Sequence, residues 1–462
     1  MKLFSQNNQL MTEGSIPRHL IRFAIPLLIG NFLQQSYQLV DMVIVGRCIG
    51  DGGISIAAVG VGTSFLGMMI GLFMGLSTGA GIVISRAYGA GRTKRVKHSI
   101  QVALLLAAAV AVLITVAAIG SCNWILSLLH TTEDIFDLAS LYLKIYALGF
   151  VPQLVYNMGT SVLQALGNST SPLTFLAVTC VINVILDLVF MGALHLGVGG
   201  AAAATVLSQC VSMVLVLRKI RQSDVMKVPG ERILGERGLT ESRWILLTII
   251  RYGVPIAIQQ LTMSFSNMIL QGHINLLGTT AIASWSILSK IDGFILLPVS
   301  SFSMAMTTFT GQNYGARQLS RIHEGKRCVT FMSVGTTVVL SMICVLLCEP
   351  IVHIFDGSVS IVEMTKDMAW HMLPFYFTLA VIRIYTGLFN GLGRPLLGSV
   401  TMIFCMCVIR VTAVTMLFPA FHSTIAIYIA YYASWFTCMF LLMAEYRLII
   451  RKQISEEMTL KS

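Results

Sequence analysis

The chain has 462 residues, of which 56% are apolar and only 11% are charged, whereas about 25% of the residues in soluble domains are charged. Mean hydropathy is +0.80. These values exclude a soluble enzyme, a disordered chain and a nucleic-acid-binding protein, although the net charge of +11 by itself would suggest a polyanionic partner. A polytopic α-helical membrane protein is the class that fits, since one spanning helix needs about 20 apolar residues.

Twelve apolar runs follow one another along the chain, and we predict that each forms a membrane-spanning helix, because a backbone in lipid must satisfy its own hydrogen bonds. They lie at about residues 20–45, 56–84, 99–121, 138–164, 173–193, 199–220, 244–272, 281–310, 328–348, 367–391, 397–418 and 424–446. The charged segment 221–243 contains Pro229 and predicts a cytoplasmic linker between two six-helix bundles, residues 1–220 and 244–462.

The distribution of basic residues predicts the orientation of the chain. With both termini in the cytoplasm, most of the 31 Lys and Arg residues fall in the inside segments. The outside loops contain Arg47 and carry acidic residues such as Glu133 and Glu349. The positive-inside rule therefore predicts cytoplasmic termini, and it explains the basic excess without a nucleic-acid partner.

The cysteines and the first apolar run carry no further signal. Most of the ten cysteines lie inside apolar runs without metal-binding spacing, so we predict that they are small buried hydrophobes and not a disulfide framework. The first apolar run is too long for the core of a signal peptide and is expected to remain in the mature protein.

Short motifs recur between the two halves of the chain. Residues 85–90 (SRAYGA) correspond to residues 311–316 (GQNYGA), and residues 164–167 (QALG) correspond to residues 390–393 (NGLG), both 226 residues apart. Residues 22–26 (RFAIP) correspond to residues 251–255 (RYGVP). Because each half has an even number of predicted spans, the repeats share one orientation and predict a pseudo-twofold axis along the membrane normal. This organisation is typical of transporters that work by alternating access.

Acidic residues within predicted spans are candidate functional residues, because a charge in the membrane is costly. Asp41 shares a helix face with Gln34 and Tyr37, and Asp187 follows Asn183 by one helical turn. Thr205 offers a hydroxyl in the sixth span. These oxygens suit either a hard cation such as Na⁺ or a proton shared between two close carboxyl groups. The structural alternative, neutralisation by a basic residue, has only Lys144 as a candidate in the first half.

The second half carries mostly basic residues within its spans. Lys290, Arg383 and Arg410 accompany the single acid Asp292. One interpretation is a structural ion pair between Asp292 and Arg383 or Arg410. The other is a cavity wall that repels or releases cargo, and the sequence leaves both open.

Pro26 and Pro255 hold matching places early in the first and seventh spans. A proline within a helix removes one hydrogen bond and permits a kink. We therefore predict hinges at these two residues, with a static bend as the alternative.

The residues above include motifs of a known family. The segment RHLIRFAIPLLIGNFLQQSYQLVDMVIVGRCIG, the pair VLQALGNSTSPL and LFNGLGRPLLGS, and the ends AYGAG and NYGA resemble those of multidrug and toxic compound extrusion (MATE) transporters over nearly the whole chain. The resemblance implies twelve helices in two bundles and export of organic cations or other amphiphiles against H⁺ or Na⁺. It also implies a coupling site in the N-terminal bundle, with Asp41, Asn183, Asp187 and Thr205 as site residues and with Gln34, Tyr37 and Asn157 lining the cavity. Acids that other branches use in the seventh and tenth helices are absent here, and Arg383 lies in the tenth.

We therefore predict an ion-coupled multidrug efflux antiporter in the bacterial cytoplasmic membrane. Its partners are small amphiphilic molecules and the lipid bilayer, and a monomer without cofactor or structural metal is expected. The alternative is a flippase-type exporter of a lipid-linked or anionic amphiphile, which the basic residues of the second half would suit. An enzyme is not predicted, since no HExxH, GxSxG or paired-histidine motif is found.

Overall fold

The computed structural model describes residues 10–48, 52–128, 131–228 and 236–450, and the regular elements within these ranges are helices. The first half of the chain forms α1 (Ile16–Cys48), α2 (Gly52–Gly89), α3 (Thr93–Leu128), α4 (Glu133–Leu148), α5 (Phe150–Ala165), α6 (Thr170–Asp187) and α7 (Gly197–Gln222). The next helices are α8 (Asp224–Lys227), α9 (Glu236–Asn275), α10 (Thr279–Gly315), α11 (Leu319–Leu346), α12 (Cys348–His353) and α13 (Val359–Met372). The last four are α14 (Tyr376–Gly391), α15 (Pro395–Ile403), α16 (Arg410–Phe421) and α17 (Thr424–Glu445).

Each of the twelve predicted apolar runs lies within one of these helices or within consecutive helical segments. Among the described residues, ten segments are long and apolar enough to cross a membrane, and the pair α4 and α5, bent by 44°, would be an eleventh. Helix α1 has 33 residues and at 1.5 Å per residue measures about 50 Å, enough for a twelfth span. The all-α polytopic fold is therefore confirmed. Of the predicted linker, residues 229–235 lie outside the described ranges, and residues 236–243 belong to α9.

Three spans contain a wider helical turn beside a charged residue, and two of these turns adjoin residues that the sequence analysis singled out. A π-helical segment, Leu188–Ala193, directly follows Asp187 at the end of α6, and another, Phe404–Ile409, directly precedes Arg410. Such turns occur frequently at functional sites, because they change the direction in which neighbouring side chains point. The backbone is thus irregular at both charged positions.

The turns between helices repeat along the chain with the sequence motifs. Gly167 has φ +82° and Gly393 has φ +67°, a left-handed conformation that glycine adopts without strain. In each turn the glycine N–H donates to the carbonyl of the third residue before it, at 2.9 and 2.8 Å. Gly91 and Arg317, also 226 residues apart, share a left-handed conformation with φ +68° and +62°. The internal repeat therefore extends to backbone geometry.

The described residues form two compact units that do not strictly follow chain order. Unit 1 contains Leu10 and residues 29–257, and unit 2 contains residues 11–28 and 258–450. Both α1 and α9 are continuous through their prolines, and each passes from one unit to the other two residues after Pro26 or Pro255. The predicted ends of the two six-helix bundles, residues 220 and 244, remain a prediction about the sequence repeat. The boundaries between the two compact units lie elsewhere, within α1 and α9.

In unit 1, α2 and the first part of α9 cross at small residues. A Cβ on Gly79 would lie 2.6 Å from the backbone nitrogen of Gly253, and one on Gly75 would lie 2.5 Å from that of Ala257. Cβ atoms do not approach other atoms so closely, so glycine is what permits this crossing, as in other tightly packed membrane helices. The crossing ties the beginning of α9 to unit 1.

Candidate functional site

The carboxyl groups of Asp41 on α1 and Asp187 at the end of α6 lie close together in unit 1, within electrostatic range of each other. The side chain of Asp187 is 0% exposed, and that of Asp41 is half-buried. A hydrogen bond between two carboxyl groups requires a proton on one of them, and two ionised carboxylates at this distance repel each other. The pair therefore needs a proton or another cation between its oxygens.

No basic side chain of the described residues pairs with either carboxyl group. The ion pairs found within 4 Å involve other residues, and the half-buried Lys144 on α4 is not among them. Both oxygens of Asp187 and Oδ1 of Asp41 are buried and receive no hydrogen bond from a protein N–H or O–H group. Burying an acid in this way is costly unless a cation compensates it, so a purely structural role does not explain the pair.

Asn183 and Thr205 add neutral oxygens from α6 and α7. Asn183 is 1% exposed, lies one turn before Asp187, and has no hydrogen-bond partner for either amide atom. The half-buried Thr205 donates its hydroxyl to the carbonyl of Ala201 at 3.1 Å, which leaves the lone pairs of its oxygen available. The structure thus joins Asp41 and Asp187, keeps Asn183 beside Asp187, and shows no hydrogen bond from Thr205 to these carboxyl groups.

The predicted cavity residues separate into different surroundings. Tyr37 is half-buried and lies close enough to Asp41 and Asp187 for electrostatic interaction. Gln34 is exposed and Asn157 on α5 is half-buried, and within the described ranges neither is hydrogen-bonded to the carboxyl pair. Arg383 lies on α14 and belongs to unit 2.

Helix α4 contributes two tyrosines that the sequence analysis missed. Tyr142 and Tyr146, whose ring centroids are 5.7 Å apart, both lie within electrostatic range of Asp41. Gln209, one turn after Thr205, interacts with the Tyr146 hydroxyl. The four-residue spacing of the tyrosines indicated a shared helix face, but the sequence did not show that this face meets the acids.

In unit 2, the buried charge is Arg410, which is 3% exposed. Its Nε donates to the Ser434 hydroxyl at 3.1 Å, and its Nη1 lies 3.5 Å from Oδ1 of Asn267. The guanidinium stacks 4.4 Å from the centre of the Tyr431 ring, an attractive arrangement for a cation. Neutral neighbours therefore hold this arginine in place.

The predicted ion pair between Asp292 and an arginine is wrong for the described residues. No acid there lies within 4 Å of Arg383 or Arg410, and Asp292 instead interacts with the Tyr376 hydroxyl. Lys290 is exposed. The physical reason is that hydroxyl, amide and aromatic groups already satisfy Arg410, so no carboxylate is required beside it.

Similarity to known proteins agrees with the fold and the repeat. The curated relatives include the probable multidrug resistance protein YoeA of Bacillus subtilis, 25% identical over 96% of both chains. YpnP of the same organism, also described as a probable multidrug resistance protein, is 26% identical over 67% of this chain and 68% of its own. A mutant of the Vibrio cholerae MATE transporter VcmN has the same fold, with a TM-score of 0.88 and 22% identity over 96% of this chain and 99% of that one.

The family assignment rests on a match that occurs twice. The MatE family matches residues 26–189 and again residues 255–415. The two ranges begin at Pro26 and Pro255, the same prolines that align in the sequence repeat. Because the match spans well over half of the chain, the protein belongs to the MatE family of membrane transporters.

Proposed function

We propose that the protein is a secondary active antiporter that exports amphiphilic organic cations in exchange for H⁺ or Na⁺. The observation that carries this proposal is the buried pair Asp41 and Asp187, which has no basic partner among the described residues. Such a pair binds one small cation and releases it when the surroundings change, which is the property that ion coupling needs.

The similar proteins support the transport direction. YoeA and YpnP are described as probable multidrug resistance proteins, and the more distant MepA of Staphylococcus aureus is described as a multidrug export protein. These descriptions do not favour the flippase alternative. Transporters of this family draw on ion gradients and need no cofactor.

In the proposed mechanism, the coupling ion and the cargo act on one two-state body. A proton between Asp41 and Asp187, or Na⁺ held by these acids with Asn183 and Thr205 as neutral ligands, removes the repulsion within the pair and stabilises one state. A cationic cargo favours the state in which the pair is ionised. The two ligands then oppose each other through linkage, and Pro26 and Pro255 are the proposed hinges of the change.

The test is dye efflux from proteoliposomes that contain the full chain, under a pH gradient alone and under a Na⁺ gradient alone. We expect one gradient to drive transport of a lipophilic cationic dye and the other to have little effect. An ionophore that dissipates the effective gradient should stop efflux. Antiport would be contradicted if the dye moved equally fast without a gradient, with the pH gradient and with the Na⁺ gradient.

The proposed location is the bacterial cytoplasmic membrane, with both termini in the cytoplasm and the chain as a monomer. In a background without native cysteines, a cysteine at Lys227 should be labelled only from the cytoplasmic side, and one at Glu133 only from outside. Labelling of both positions from the same side of sealed cells would contradict this orientation.

A further inference from the structure

Unit 1 has an open cavity of about 520 Å³ beside the beginning of α3. Four basic side chains line it, Arg92, Lys94, Arg95 and Lys97, together with one acid, Glu241. None of these residues belongs to the carboxyl pair or its neighbours. The cavity therefore has an excess of positive charge that the proposed antiport does not use.

Two of the four cations are held by specific contacts. Nζ of Lys97 donates to the carbonyl of Val228 at 2.7 Å. The Arg95 guanidinium lies 4.4 Å from the centre of the Trp244 ring, and its Nε is 3.8 Å from Glu241. These contacts reduce the freedom of the two side chains, so a ligand that binds them loses less conformational entropy.

The other two cations have no acidic partner. Arg92 and Lys94 are exposed, and within the described part of the chain no carboxylate lies within 4 Å of either. The inner wall adds a hydrogen-bonding group, since the buried His98 is bonded to the hydroxyl of Ser242 at 2.8 Å. A bound anion would thus find both charged and hydrogen-bonding groups in the lining.

The cavity lies at the polar end of a membrane helix. Helix α3 has 36 residues and a length of about 54 Å, well beyond the roughly 30 Å of bilayer hydrocarbon. Its charged first residues therefore extend to the level of lipid headgroups, where basic clusters attract anionic lipids.

We propose that this cavity binds a phosphate group, carried by the headgroup of an anionic phospholipid or by a soluble phosphate compound. Arginine matches two phosphate oxygens with its planar guanidinium, and lysine adds a point charge. Glu241 limits the affinity, because it is the one acid among the described residues of the lining and it competes for Arg95.

The test measures the affinity of the full chain, in a neutral detergent, for inorganic phosphate and for a short-chain phosphatidylglycerol. Short-chain phosphatidylcholine is the zwitterionic control. The double variant Arg92→Gln with Lys94→Gln removes the two unpaired cations, and Glu241→Gln removes the acid. The matched control, Arg218→Gln with Lys219→Gln, removes two cations of unit 1 that lie outside the cavity.

We expect the Arg92 and Lys94 double variant to weaken binding about tenfold, the loss expected for one or two charge-assisted contacts, and Glu241→Gln to strengthen it. If these side chains had only a structural role, removing the two cations and removing the acid would not change phosphate binding in opposite directions. If phosphatidylglycerol binds and phosphate does not, the ligand is a lipid headgroup, and the reverse result identifies a soluble phosphate. The proposal is wrong if neither probe binds, or if the control variant weakens binding as much as the cavity variant.

Discussion

Each compact unit buries a charged side chain in a membrane helix, but the two charged groups have different neighbours. In unit 1, Asp187 is fully buried near Asp41, and both oxygens of Asp187 and Oδ1 of Asp41 receive no protein hydrogen bond. In unit 2, Arg410 is almost as deeply buried, yet Ser434, Asn267 and the Tyr431 ring surround it. Both charges adjoin a π-helical turn, so burial and backbone irregularity alone do not distinguish them.

The difference teaches that the partners of a buried charge, and not its burial, indicate its role. An arginine that is held by neutral hydrogen-bond acceptors and an aromatic ring stabilises its surroundings without an ionic partner. A buried pair of acids without hydrogen-bond partners is stable only with a cation. The pair lowers the stability of the fold, and such costly groups are typical of functional sites. This comparison makes four predictions, from the largest expected effect to the smallest.

The largest effect is expected for Asp187→Asn and Asp41→Asn. Either change should reduce gradient-driven efflux to near the level of empty liposomes while the protein remains folded, because an amide has nearly the same shape but cannot release a proton or balance Na⁺. The measurement is the initial efflux rate at matched amounts of folded protein. Asp292→Asn is the control, since it makes the same chemical change in unit 2. Near-normal efflux from the double variant would refute the coupling site.

A loss of stability is expected for Arg410→Met. The change leaves the buried Ser434 hydroxyl and the exposed Asn267 amide without their charged donor. Loss of the partner at the buried Ser434 is expected to cost about 1–3 kcal/mol. Thermal unfolding in detergent should therefore occur at a lower temperature. Arg410→Lys is the matched variant, because it keeps the charge and loses the planar guanidinium. An unchanged unfolding temperature together with altered cargo preference would assign Arg410 to the cargo pathway.

A smaller effect on coupling is expected for Thr205→Ala. The hydroxyl supplies at most one ligand or hydrogen bond, so the ion concentration for half-maximal efflux should rise about tenfold, or ~1–2 kcal/mol. Thr205→Ser keeps the oxygen and should behave like the unchanged protein. If the alanine and serine variants behave alike, the hydroxyl has no part in ion binding.

The smallest effect is expected for Asp292→Asn. The residue has no basic partner within the described ranges, and the amide can keep a hydrogen bond to Tyr376, so stability should change by less than about 1 kcal/mol with efflux retained. Thermal unfolding and efflux assays on one preparation measure both. Loss of ion-driven efflux here would place a second coupling group in unit 2 and weaken the contrast between the units.

Much of the fold could be predicted from the sequence because membrane helices are determined locally. A long apolar run in lipid can form only a structure that satisfies its own backbone. The runs 20–45 and 99–121 therefore indicated α1 and α3, which extend beyond the runs by no more than seven residues at each end. The recurring motifs that end at Gly167 and Gly393 indicated the internal repeat, and the structure places both glycines in left-handed turns, a conformation that is favourable for glycine.

The candidate site was only partly predictable. Asp41 and Asp187 were identified because an acid within an apolar run is conspicuous and because Lys144 was the only candidate basic partner within the predicted spans of the first half. Tyr142 and Tyr146 were missed, because an aromatic residue in a membrane helix is ordinary in sequence and becomes informative only beside the acids. The ion pair of Asp292 with an arginine, one of the two interpretations left open, was wrong for the described residues, because opposite charges in different helices do not show how far apart the side chains lie.

The sequence by itself therefore determined the membrane-spanning segments, the internal repeat and the scarcity of buried acids. These features follow from local hydrogen bonding and from the cost of charge in lipid. Only the tertiary structure decided that Asp41 meets Asp187, that neutral groups satisfy Arg410, and that α1 and α9 each divide between two units. These features depend on which helix faces meet although they lie far apart in the chain. When all faces of a membrane helix are similarly apolar, hydropathy does not distinguish them, and side-chain packing decides which faces meet.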